Sequence, residues 1–416
     1  MATLVIIGAG LAGAKAAEAA REAGYPGRVV LVGDEAHRPY ERPPLSKAVL
    51  RGEAEPDSTR VHPDGFYDDH DIELVTGHIA AIDPDARRVE LADGEALAFD
   101  RAVLAPGAAP RRLAVPGADL DGVRYLRSVD DAVGLRDAIR ASSRVAVVGA
   151  GWIGSEVAAS AREVGADVVL VAPVTVPLQR VLGDRVGEVF RQLHADHGVR
   201  LRLGVGVLEL RGAGAVEAVG LTDGTVEEAD LVVVGIGVTP RTEVAVAAGA
   251  VVEDGIVVDQ YLESSVPGVY AAGDVASAWH PHYRRNVRVE HWANALNQGA
   301  AAGRNAAGRR EPYDRLPYFF SDQYDTGMEY LGHAPDWDRV VFRGDPRARE
   351  FIAFWVKDDR VAAAMNMNVW DVVEPLRAII RSRRPVADEQ LQDADVPLEA
   401  IATGPVTAAS AKGGDA

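Results

Sequence analysis

A short apolar strand, a glycine turn, a helical run and a second apolar strand follow one another twice in this chain. In the first copy 4–7 precede Gly8-Ala9-Gly10-Leu11-Ala12-Gly13, residues 14–23 form an alanine-rich helical run ended by Gly24, and 29–32 lead to Gly33-Asp34-Glu35. In the second, 144–148 precede Gly149-Ala150-Gly151-Trp152-Ile153-Gly154, with 155–164 as the helix and 168–171 as the next strand. The glycines differ in what they do. The first makes a tight turn, the second lets the backbone approach a pyrophosphate, and the third lets helix pack on strand. The helix N-terminus then faces phosphate charge, and an acid beyond the second strand takes a ribose hydroxyl. Asp34 stands where that acid belongs, 21 residues after Gly13, with Glu35 beside it. A glycine turn of purely structural kind needs none of these surroundings. The copies begin 141 residues apart, at Gly8 and Gly149, too far for a solenoid repeat, so the sequence predicts two separate dinucleotide-binding folds.

The second copy lacks the acid. After its second strand comes Ala172-Pro173, with Arg180 the nearest basic residue. A carboxylate there would grip the ribose of NADH and an arginine the extra phosphate of NADPH. Ala172 offers no positive charge, which favours NADH over NADPH. Two further strands end in loops of the kind that meet ligands at the carboxyl edge of an open sheet: 231–234 runs into Gly235-Ile236-Gly237-Val238-Thr239-Pro240, and 268–272 into Gly273-Asp274. Asp274 suits a sugar or polyol hydroxyl, although a plain turn reads the same way.

With 416 residues the chain is long enough for two or three domains. It contains no cysteine, which excludes disulfides, thiolate metal sites, cysteine-ligated clusters, a cysteine nucleophile and an internal redox dithiol. A net charge of −18, from 44 basic and 62 acidic side chains, argues against a general nucleic-acid binder. No targeting segment or apolar run of membrane-spanning length is visible, and a cytoplasmic location is expected. The ten histidines show no paired metal-ligand spacing, so no metal is expected. Met365-Asn366-Met367-Asn368 reads as core strand or turn, and 403–416 as a disordered tail.

Together these motifs resemble the FAD- and NAD(P)H-dependent pyridine nucleotide reductases, in the branch of ferredoxin reductases serving haem monooxygenases and Rieske-type ring dioxygenases, the putidaredoxin reductase type. The resemblance runs through the two fingerprints, Arg38-Pro39-Tyr40-Glu41-Arg42-Pro43-Pro44-Leu45-Ser46-Lys47, Tyr125-Leu126-Arg127, Glu156, Ala271-Ala272-Gly273-Asp274, Glu290-His291-Trp292-Ala293-Asn294-Ala295 and Phe320-Ser321-Asp322-Gln323-Tyr324. It implies an α/β chain with two Rossmann-like dinucleotide-binding domains and a C-terminal α+β reductase domain. FAD would fall to 1–111 with 242–315, NAD(P) to 112–241, and the last domain to 316–416. FAD would lie on Gly8, Gly10, Ala12, Gly13 and Arg42, with Asp34 and Glu35 on the adenosine ribose, Asp274 on the ribityl chain, and Ile79, Arg127 and Trp292 lining the flavin. Lys47 and Glu156 match a Lys/Glu pair beside the isoalloxazine. Gly149, Gly151, Ile153, Gly154 and Gly237 would serve the nicotinamide cofactor. Two departures stand out: Pro106 where relatives often carry Thr, and Phe319-Phe320 where a relative has Trp, so electron exit through an indole there is not expected.

Absent cysteine now bears on mechanism, because the disulfide reductases of this superfamily pass electrons to a cysteine pair. Here they must leave the protein, and a flavin that takes hydride and releases single electrons suits an iron–sulfur acceptor. Lys47 is one of only four lysines beside forty arginines; a compact cation near reduced flavin is the functional reading, a surface lysine in a Pro-rich turn the bland one. Between His280 and Arg315 seven arginines face three acids, and 376–384 holds four arginines and no acid. Either segment is compatible with a plain solvated face. As a docking surface for an acidic ferredoxin, they would use Arg284, Arg285, Arg288, Arg310, Arg383 and Arg384. Two other functions fit the same motifs: an NADH oxidase or diaphorase, and a nucleotide-switched flavoprotein resembling apoptosis-inducing factor.

Overall fold

The computed structural model describes residues 2–404; the expected tail lies, from residue 405 on, outside the described residues. The chain divides into two compact units, 1–45 with 54–111 and 238–315, and 46–53 with 112–237 and 316–416.

In the first unit five parallel strands are ordered Val269–Ala271, Arg101–Leu104, Thr3–Ile7, Arg28–Gly33, Ile72–Thr76. Leu4, Val5, Ile6 and 29–31 are fully buried, the continuous apolar pattern of parallel strands covered on both faces. The helices Leu11–Glu22 and Trp292–Ala306 pack on each other through glycine: a Cβ at Gly299 would lie 2.2 Å from the Ala12 carbonyl oxygen, and one at Gly303 2.1 Å from that of Ala16.

The second unit repeats the plan, with parallel strands ordered Arg200–Leu203, Asp167–Ala172, Arg144–Val148, Leu231–Val234, Val123–Arg124. It adds an antiparallel sheet ordered Tyr318–Gln323, Thr326–Gly332, Arg360–Met367, Glu350–Lys357, Arg339–Asp345, backed by the helix Val373–Ser382. The residues 365–367 thus lie in a buried core strand. This sheet shares one apolar core with the helix Gln179–Asp196, where Trp355, fully buried, donates its indole N–H to the Leu182 carbonyl at 3.2 Å.

The likeness of the two dinucleotide folds goes beyond the glycines. Each carries a three-stranded antiparallel insert, Ile79–Asp83 to Ala96–Ala98 in one and Val207–Arg211 to Val226–Glu228 in the other. Each returns through an aspartate that fastens the start of the first strand. Asp100 accepts the Thr3 backbone N–H at 2.8 Å, and Asp230 accepts that of Arg144 at 3.0 Å.

Candidate active site

What a Cβ would meet at each fingerprint glycine separates structural needs from ligand needs. Gly8 sits at φ +108°, and a Cβ there would lie 2.1 Å from the Ala105 carbonyl oxygen; at Gly13 it would lie 1.9 Å from that of Gly8. The protein itself demands those two glycines. Gly10 is different: its φ of −85° suits any residue, and a Cβ would meet no atom within 4 Å. The second loop repeats the pattern. Gly149 sits at φ +107° and its Cβ would approach the Gly235 oxygen to 2.3 Å, Gly154 would approach the Gly149 oxygen to 1.8 Å, and Gly151, at φ −83°, meets nothing within 4 Å. Gly10 and Gly151 each cap a helix without a side-chain acceptor or an acid in the first turn, which leaves backbone N–H donors for an outside partner. Open space at the middle glycine and unclaimed donors behind it fit a pyrophosphate in both units.

The loops differ one residue before the third glycine. Ala12 is 7 % exposed, and a Cβ at Gly273 (φ +80°) would lie 3.1 Å from it. Ala12 therefore ties the first loop to the turn carrying Asp274, whose preceding Gly273 N–H is held by Gln298 at 3.0 Å. Its counterpart Ile153 is 43 % exposed. Ile79 is buried opposite Leu91, and Trp292 opens the helix Trp292–Ala306, half-buried.

The acids beyond the second strand of the first unit are engaged. Asp34 accepts from Arg241 at 2.9 Å across a half-exposed pair, weak enough for a ribose hydroxyl to replace. Glu35 accepts from Arg42 at 2.9 Å and from the Tyr40 hydroxyl. Burial works against the Arg42 charge, yet Tyr40, Glu35 and Asp274 outweigh it and hold the guanidinium more firmly protonated. In the second unit the strand Asp167–Ala172 ends buried, and Gln179 then links Thr175 to Asp184, donating to both side chains at 3.0 and 2.6 Å, while Arg180 is exposed. Gly237 is at φ +106°. The Arg127 backbone N–H donates to Asp131 at 3.0 Å, just before the helix Val129–Ala141.

Lys47 and Glu156 meet in the second unit, Nζ to Oε2 at 2.7 Å, with side chains 12 % and 7 % exposed. Sequence reasoning missed the residues that hold them. Ser46 Oγ donates to Glu156 Oε2 at 2.5 Å, and Ser160, one turn along the helix Trp152–Glu163, donates to the Ser46 carbonyl at 2.7 Å. Ser321 Oγ donates to Glu156 Oε1 at 2.7 Å. The spacing of Glu156 and Ser160 by four residues is legible as one helix face, but nothing local in the sequence brings Ser321 to it. Asp322 points away from this core face; burial and the charges of Glu156 and Glu329 push its carboxyl above the usual range, with Lys47 and Arg51 opposing.

The arginine segments fall in different units. Arg288 is 13 % exposed and paired with Asp254 at 2.9 Å and Glu290 at 2.5 Å. Arg310 lies over the Tyr261 ring, 4.3 Å from its centroid. Arg284 occupies the turn before Arg285–Val287. Arg383 caps the helix Val373–Ser382 at φ 52°, and Arg384 donates to the Thr403 and Gly404 carbonyls. Among the described residues no group of acids and histidines is arranged to hold a metal ion, and no helix is long and apolar enough to cross a membrane.

Residues 2–299 match the pyridine nucleotide-disulphide oxidoreductase family, and residues 318–402 the reductase C-terminal family. The chain is 39 % identical over 399 residues to rhodocoxin reductase of Rhodococcus erythropolis, covering 95 % of this chain and 93 % of that one. It is 37 % identical over 400 residues to the ferredoxin–NAD(+) reductase component of the anthranilate 1,2-dioxygenase system of Burkholderia cepacia, covering 95 % and 98 %. The crystal structure of a covalent putidaredoxin reductase–putidaredoxin complex superposes with a TM-score of 0.92 at 37 % identity, covering 96 % of this chain and 98 % of that one.

Proposed function

The chain belongs to the pyridine nucleotide-disulphide oxidoreductase family, and we propose that it takes hydride from NADH onto bound FAD and delivers electrons singly to an iron–sulfur ferredoxin feeding a haem or Rieske oxygenase. The observation that carries this is the pair of matched loops, each with a middle glycine whose Cβ would meet only open space. Ala12, packed against Gly273, suits a cofactor that stays; Ile153, exposed, suits one that exchanges. FAD accordingly belongs to 1–111 with 242–315 and NADH to 112–241, with 316–416 as the reductase domain. When bound, FAD supplies hydride acceptance and one-electron release.

The protein supplies placement and charge. Gly8, Gly10 and Gly13 cradle the pyrophosphate, Asp34 and Glu35 the adenosine ribose and Asp274 the ribityl chain. Ile79, Arg127 and Trp292 line the flavin, and Lys47, held by Glu156, presents a cation to it. The family name notwithstanding, a chain without cysteine has no dithiol to reduce, so the acceptor is external. In the putidaredoxin complex the partner is putidaredoxin; here an acidic ferredoxin would be steered by Arg284, Arg285, Arg310, Arg383 and Arg384, with Arg288 contributing less because two carboxylates offset it. NADH is preferred to NADPH because the strand end at Ala172 carries no cation, and Gln179, which opens the next helix, donates to the Asp184 carboxylate. A cytoplasmic location goes with this role.

An anaerobic absorbance titration tests the proposal. NADH should bleach the flavin of the purified protein, with NADPH a poorer donor, and an added ferredoxin should restore the colour. Oxygen consumption at comparable turnover without ferredoxin reduction would favour the oxidase. Slow bleaching that ends in a long-lived charge-transfer complex would favour the nucleotide-switched flavoprotein.

A further inference from the structure

The strand Tyr318–Gln323 alternates cleanly between buried and more exposed positions, so Phe319, Ser321 and Gln323 share the core face. An apolar residue is the default on such a face. Two polar ones, each 2 % exposed, need a reason, because a buried polar group without a partner costs about 1–3 kcal/mol.

Their hydrogen bonds run in one direction. Glu156 Oε1 accepts from Ser321 Oγ at 2.7 Å, so the hydroxyl hydrogen is spent on the carboxylate. Ser321 Oγ is then the acceptor for Gln323 Nε2 at 3.3 Å. That fixes the amide, leaving Gln323 Oε1 to point onward, buried and without a donor among the described residues. His194, fully buried on the helix Gln179–Asp196, has one ring nitrogen, Nδ1, 3.1 Å from the Tyr324 hydroxyl and the other, Nε2, buried and without a partner among the described residues. Gln323 is the uncharged side chain that acts on this imidazole, and it favours the protonated ring, as an amide oxygen facing a ring N–H does. A buried acceptor and a buried ring nitrogen, both left over, satisfy each other on a small side-chain adjustment if Nε2 carries the hydrogen and Nδ1 accepts from Tyr324. Burial first, and then the charge of His197, holds the ring neutral, with its pKa lowered to about 4, and a neutral ring has one N–H to give.

We propose that Tyr324, His194, Gln323 and Ser321 form a directed chain of hydrogen bonds, every donor pointing towards Glu156, and that Ser321 is thereby a positioning residue for the Lys47–Glu156 pair. Each bond polarises the next, and the positive end of the summed dipole falls on the carboxylate. The chain orients and does not conduct protons, because the carboxamide of Gln323 has no proton to pass on without becoming an imidic acid. Its charged neighbours are Lys47 on Glu156, with Asp322 beside them and Arg51 and Glu329 acting on the Asp322 carboxyl, and at the far end Arg162 and Glu163, which act on Tyr324, and His197, which stacks on Tyr324 at 3.7 Å and lies 4.0 Å from Asp325.

The inference rests on the assignment of Lys47 and Glu156 to the flavin, and the holoenzyme tests the two separately. Nitrogen-15 NMR of the holoenzyme labelled at histidine, with His194 assigned by loss of its signals in His194→Asn, should find the Nε2–H tautomer; the Nδ1–H tautomer overturns the chain. The flavin midpoint potential should move in one direction in Glu156→Gln, in the same direction but less far in Ser321→Ala, and return towards wild type in Ser321→Thr. A displaced potential in Glu156→Gln with none in Ser321→Ala removes the positioning role alone. No displacement in Glu156→Gln removes the flavin assignment and the inference with it, whatever the tautomer.

Discussion

Replacing Gly151 with alanine isolates ligand from fold more cleanly than any other change in the second unit. The added Cβ meets no protein atom within 4 Å, and φ −83° is ordinary for alanine, so stability should stay within about 1 kcal/mol of wild type, the scale of helix N-cap effects. The methyl group instead occupies the space in which a pyrophosphate would meet the N-terminus of the helix Trp152–Glu163. Loss of one hydrogen bond to a charged group is worth about 1.5–3 kcal/mol, which converts to NADH binding weakened about 10- to 140-fold. The variant should keep its flavin content and thermal midpoint while the dissociation constant for NADH, read from quenching or from the concentration dependence of flavin reduction, rises by that factor. Gly154→Ala is the control: its Cβ would lie 1.8 Å from the Gly149 carbonyl oxygen, and it should lower the midpoint severely. Unchanged NADH affinity in Gly151→Ala, or loss of FAD in place of NADH, would refute the assignment of the two loops.

Lys47→Met leaves the Glu156 carboxylate buried beside an apolar side chain; breaking a buried pair from one side costs about 3–5 kcal/mol. Stopped-flow reduction should slow and the flavin potential shift, and unchanged values of both would discard the role given to Lys47. His194 predicts an acid-sensitive fold. Because burial lowers its folded-state pKa to about 4, against an ordinary value near 6.5, its contribution is whole above about pH 6.5 and is lost as pH falls towards 4. The loss is at most about 3 kcal/mol at 1.36 kcal/mol per unit. Urea unfolding at pH 7.5 and 4.5 should show a smaller drop in His194→Gln than in wild type, and equal drops would contradict the linkage. Electrostatic steering requires ferredoxin reduction to slow steeply with added salt; a salt-independent rate, or wild-type rates after charge reversal at Arg284/Arg285 and Arg383/Arg384, would exclude those docking sites.

The parts legible in the sequence are those whose physics is local. The strands 144–148 and 231–234 end where their apolar runs end, whereas the helices read from residues 14 and 155 begin three residues earlier, at Leu11 and Trp152, directly after the middle glycine, because the third glycine of each turn is already helical. The aspartates that close the two folds leave a trace as well, since Leu91-Ala92-Asp93-Gly94 before Asp100 parallels Leu221-Thr222-Asp223-Gly224 before Asp230, a likeness that the glycine fingerprints alone do not show. Ser321 is out of reach for a different reason. It lies 165 residues from Glu156, and only the packing of the C-terminal sheet on the helix Trp152–Glu163 sets the two side by side. The arginine segments show the opposite limit: a count of charges along the chain treats Arg288 like its neighbours, whereas Asp254, thirty-four residues away, takes up its guanidinium.

Electron counting tests the central claim most directly. Under anaerobic conditions, catalytic amounts of the protein supplied with limiting NADH and excess oxidised ferredoxin should yield two reduced ferredoxins for each NADH consumed, at a rate above that of oxygen consumption in air. NADH oxidation without reduced ferredoxin, or turnover that requires oxygen, would contradict it.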